Sequence, residues 1–72
     1  MRNVKRSINI LGHATSITLE DAFWDELKTI AKQQKISLSV LIAKIDKQRP
    51  EEQNLSSAIR VYVLESLKKL VK

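Results

Sequence analysis

Seventy-two residues with no cysteine, one histidine and a formal net charge of +5 make a chain of one domain at most, without disulfides or a thiolate metal site. His13 alone cannot build a zinc site, and an apolar run of four residues, Val61 to Leu64, which none exceeds in length, is far too short to span a bilayer. A core this small is expected to gain stability from a second copy of the chain, and a pI near 9.8 favours a polyanionic partner.

The N-terminus lacks the apolar core of a signal peptide, so a cytoplasmic protein without a membrane partner is expected. Arg2, Lys5 and Arg6 carry the first nineteen residues with no acid among them. Between residues 20 and 35 the acids Glu20, Asp21, Asp25 and Glu26 outweigh Lys28, Lys32 and Lys35. Positive charge returns at Arg60, Lys68, Lys69 and Lys72.

Residues 1–12 read as a basic arm or a hairpin strand, with Ile8 and Ile10 at strand spacing. In the hairpin form Gly12-His13 would be the turn, Ile8 would face Ile17 and Ile10 would face Thr15. Thr15 to Leu19 alternates: Thr15, Ile17 and Leu19 point one way, and Ala14, Ser16 and Thr18 the other. A lone strand cannot satisfy its own backbone, and a second molecule is the expected donor of its partner.

A helix is predicted from Leu19 or Glu20 to between Gln33 and Lys35, its early acids suiting the positive end of the helix dipole. Phe23, Trp24, Leu27, Ile30 and Ala31 form its core stripe. Ser37 is a candidate N-cap for a second helix over Leu38 to Lys47, with Leu38, Leu41, Ile42 and Ile45 on one face. Residues 48–53 form a polar loop holding the only proline, Pro50. Asn54 then caps a third helix from Leu55 to about Leu70. That helix is apolar over so wide an arc, Val61 and Leu64 included, that it should be covered on several sides, as in a dimer core.

The order Gly12-His13, Thr15-Ser16-Ile17, Leu19-Glu20, Phe23-Trp24 and, later, Asn54-Leu55-Ser56-Ser57-Ala58, Arg60-Val61 resembles the ribbon-helix-helix family of DNA-binding proteins. It is most similar to a small bacterial branch with a Gly-His-x-Thr-Ser-Ile-x-Leu-Glu strand motif, over roughly residues 6 to 65. The resemblance implies a mainly α fold with a short N-terminal strand, the ribbon-helix-helix domain taking residues 13–72. It further implies an intertwined homodimer whose strands pair between chains as an intermolecular antiparallel β-ribbon and enter the major groove of double-stranded DNA.

Carried onto this chain, Ala14, Ser16 and Thr18 would meet base edges. Arg2, Lys5, Arg6 and His13 would contact phosphate, as would Ser37, Leu38 and Ser39 at a helix N-terminus. If the third helix is the family's second one, that clamp moves to Leu55, Ser56 and Ser57. The three outward strand residues are all short, so base discrimination is expected to be weak or to draw on His13 and Arg6 at the ribbon's edge. The implied function is a transcriptional repressor, on the nucleoid when bound, with no catalytic constellation, metal or cofactor. The alternatives are a toxin-antitoxin antitoxin and a dimerisation or adaptor module that uses the fold for protein binding.

Overall fold

The structure is a computed structural model and describes residues 3–70. Two strands, β1 (Asn3–Ile10) and β2 (His13–Glu20), are followed by three helices, α1 (Asp21–Gln33), α2 (Leu38–Gln48) and α3 (Leu55–Leu70). The strands form one antiparallel hairpin with Asn3 opposite Glu20 and Ile10 opposite His13. The partner strand anticipated from a second molecule is therefore supplied by the chain's own N-terminal segment, so β2 needs no strand exchange to satisfy the edge that faces β1.

The turn is Leu11-Gly12, not Gly12-His13, and the register differs accordingly from the expected one: Ile8 faces Thr15 and Arg6 faces Ile17. Both turn residues have positive φ, 51° for Leu11 and 83° for Gly12, which defines a type I′ turn whose twist matches that of the strands. The slip is two residues, so every side chain keeps its face. It also stops pairing at Glu20, where α1 begins; the expected register would have drawn Asp21 into the ladder and out of the helix.

One ribbon face lies on the helices. Ile10, Ile17 and Leu19 are buried there with Leu27, Ile30 and Ala31 of α1, Leu41, Ile42 and Ile45 of α2, and Ala58, Ile59 and Val63 of α3. The largest fully buried side chains are Leu19, Leu27, Leu41, Ile42, Ile59 and Val63, each contributing about 1.5–3 kcal/mol by leaving water. Phe23 and Trp24 pack half-buried against this core.

The helix ends follow from local chemistry. Ser37 Oγ accepts from the Val40 N–H at 3.2 Å, and Asn54 Oδ1 from the Ser57 N–H at 2.8 Å, so both predicted caps form. At the end of α1, Lys35 adopts φ 59° while its N–H bonds the Lys32 carbonyl and that of Ile36 bonds the Ala31 carbonyl. This is a Schellman closure with lysine where glycine is usual. Arg49 closes the α2–α3 loop, pairing with Asp46 at 2.7 Å and donating to the Gln53 carbonyl.

Leu11 is 83% exposed and sits in a left-handed conformation that costs a side chain with a Cβ about 1–2 kcal/mol. Leu11→Asn, which creates the favoured Asn-Gly pair, should therefore stabilise the fold by about 1 kcal/mol in denaturant unfolding. A lowered midpoint would mean that the leucine makes a compensating contact.

Candidate nucleic-acid interface

The hairpin sorts its side chains by cross-strand pair. Arg6, Ile8, Ile17 and Leu19 share the inward face, whereas Lys5 with Thr18, Ser7 with Ser16, and Asn9 with Ala14 share the other. All six residues of this outer set are exposed. Ala14, Ser16 and Thr18 thus lie together on an open face as expected, and β1 adds Lys5, Ser7 and Asn9 beside them. Reading β2 alone missed that contribution; the alternation of Lys5, Ser7 and Asn9 with Ile8 and Ile10 was the signal that could have found it.

The free edge of β2 is held by α3. The Thr18 N–H donates to Ser56 Oγ at 3.1 Å, and the Arg60 guanidinium reaches the Thr18 carbonyl at 3.4 Å. Arg60 Nε also donates to Glu20 Oε1 at 2.9 Å. A bond from the Glu20 backbone amide, and next the Arg60 hydrogen bond, hold this carboxyl below the ordinary glutamate value of 4.5, against a smaller opposing effect of desolvation.

Arg6 faces inward. Its guanidinium donates to Asp21 Oδ1 and lies over the Trp24 ring, 4.6 Å from the centroid. The side chain is only 17% exposed, and its buried Nε has no hydrogen-bond partner among the described residues. Arg6, expected to contact phosphate from the ribbon's edge, is thereby placed as a brace between ribbon and α1 on the inward face. His13 is exposed at the first pair after the turn, and Arg2 lies outside the described residues.

Of the two candidate clamps, the start of α3 adjoins the ribbon: Ser56 bonds Thr18, and Leu55 lines a groove with Ile10, Thr15 and Ser16. The same groove is bordered by Asp46 and Arg49 at the end of α2. Ser37, Leu38 and Ser39 stand at the opposite end of that helix, about 15 Å along its axis. Each helix start leaves two uncapped amides, those of Leu38 and Ser39 and those of Leu55 and Ser56.

An exposed two-stranded ribbon seated on a helical layer, with hydroxyl, amide and ammonium groups on its open face, has the dimensions of an element that enters a DNA major groove. A family model described as a ribbon-helix-helix domain matches residues 3–67, and the chain belongs to that family. Ribbon-helix-helix domains are a non-enzymatic DNA-binding fold, found generally in transcription regulators and antitoxins. Comparison with curated proteins and with solved structures returned no match. No helix among the described residues is long and apolar enough to cross a membrane.

Two outcomes follow from these ion pairs. Arg6→Met should lower stability by about 1 kcal/mol, through loss of the ring contact and a partly exposed ion pair, and leave the salt dependence of DNA binding unchanged. A slope reduced by about one unit would instead make Arg6 a phosphate contact. Because the Glu20 pKa is lowered on folding, its contribution is complete above the unfolded value of 4.5 and is lost as pH falls through the folded value. Arg60→Met should therefore destabilise at neutral pH, with a deficit that narrows in acid unfolding curves below that value; a pH-independent deficit would remove the Glu20 pairing as its cause.

Proposed function

We propose that this chain is a homodimeric transcriptional regulator, a repressor, that inserts its β-ribbon into the major groove of duplex DNA. The observation that carries the reading is the open ribbon face, which is exposed across all six cross-strand residues and has no acid between Lys5 and Asn9 or between Ala14 and Thr18. Ser16 and Thr18 offer hydroxyls to base edges, and Ala14 and the Thr18 methyl suit a thymine methyl. Phosphate is met by His13 beside the turn and by the free amides of Leu55 and Ser56, where the α3 dipole favours an anion next to the ribbon. Leu38 and Ser39 provide a second, separate pair of such amides.

The second copy is proposed to cover α3. Val61, Leu64 and Leu67 are 44, 54 and 38% exposed and follow one another at three-residue spacing along its outer side. This apolar strip is the surface a homodimer would bury. The protein acts in the cytoplasm, on the nucleoid when bound.

Binding measured by anisotropy on a selected duplex and on random duplex tests the reading. Ser16→Ala and Thr18→Ala should each cost about 1–3 kcal/mol on the selected site and little on random DNA. Equal losses on both would remove these residues as readers. Leu64→Glu should shift sedimentation from dimer to monomer at micromolar concentration, and an unshifted dimer would place the interface elsewhere.

A further inference from the structure

The ribbon's outer face is half made of β1. Lys5, Ser7 and Asn9 stand directly opposite Thr18, Ser16 and Ala14, at roughly 4.5–5.5 Å between facing Cβ atoms. Of the six exposed residues in these three pairs, Lys5 and Asn9 carry the long or forked side chains. Neither makes a hydrogen bond or an ion pair with any described residue, so both heads are unengaged. Asparagine is also a poor strand former, and nothing in the hairpin's packing requires an amide at an exposed position beside the turn.

We propose that β1 adds sequence-reading residues to those of β2, Asn9 as a reader of adenine and Lys5 as a reader of guanine. The proposal rests on the reading that the ribbon enters the major groove. In that groove an asparagine carboxamide can accept from adenine N6 and donate to N7 at once, and a lysine ammonium can donate to guanine O6 and N7. The methyl of Ala14, across from Asn9, suits a thymine methyl, so the two residues together select one A·T pair at the turn end of the ribbon. Ser7 and Ser16 form a small central pair that lets the ribbon approach the base edges. The four-residue interval from Asn9 to Lys5 spans about 14 Å of strand, a reach of about four nucleotides at 3.4 Å each. A two-stranded hairpin from one chain fills the width of the groove, so both strands can touch bases.

The test is selection of duplexes from a random pool by the full chain, followed by affinity measurements for wild type, Asn9→Thr, Asn9→Gln and Lys5→Met. Threonine is a better strand former, so Asn9→Thr should keep the hairpin, with an unchanged or higher melting temperature. Wild type should fix an A·T pair within its site. Asn9→Thr should lose about 10-fold or more on that site, change little on random duplex, and select sites no longer fixed at that pair. Asn9→Gln should keep the adenine preference, and Lys5→Met should relax a guanine at the other end of the site. Selection of the same site with the same affinity by Asn9→Thr would overturn the proposal while leaving DNA binding intact. A wild-type protein that enriches no duplex would instead overturn the DNA-binding reading, and this proposal with it.

Discussion

The backbone of β2 has to be satisfied on two edges, and the way each edge is met organises the molecule. On one side β1 pairs with it from end to end. On the other, α3 takes both polar groups of Thr18 through Ser56 and Arg60. The strand is thus fixed between its neighbour in sequence and an element some forty residues away. Because both attachments use backbone groups in the plane of the sheet, the outer side chains are spent on neither, and a ribbon held by its edges presents a whole face.

In the proposed complex that arrangement would separate two sources of affinity. Phosphate contacts from helix amides and basic side chains would supply binding that is insensitive to sequence and strongly dependent on salt. Base contacts from the ribbon would supply discrimination, and their number would be set by how many outward residues can reach a base edge. A single strand of alanine, serine and threonine offers little reach. A hairpin doubles the outward positions without widening beyond what the groove admits, and its first strand contributes the longer side chains.

Much of the fold was legible in the sequence because local chemistry decides it. Ser37 and Asn54 mark the starts of α2 and α3, the stripe through Leu27, Ile30 and Ala31 marks the inner face of α1, and strict alternation fixes which side of β2 is buried. The turn was misplaced by one residue because leucine rarely takes a positive φ, whereas a Gly-His turn asks nothing unusual of its first residue. Arg6 read as a surface cation because neither Asp21, fifteen residues on, nor Trp24 announces itself as a partner in sequence; only the hairpin brings them together. The contact of α3 with the ribbon edge was hidden for the same reason, since Ser56 and Thr18 meet through tertiary packing alone.

The junction between β2 and α1 has an electrostatic consequence. Glu20 ends the ribbon and Asp21 opens α1 beside it, and left bare these two acids would set a repulsive field against an approaching polyanion. Arg60 engages the first from α3, and Arg6 engages the second from β1. Two cations that could have faced solvent are thereby used to silence two anions, and the remaining acids of α1, Asp25 and Glu26, fall a turn further along the helix. The ribbon's own lysine is left as the unopposed charge on its surface. The chain achieves a locally positive face by cancelling what would offset it, which costs fewer exposed lysines than outnumbering those acids would.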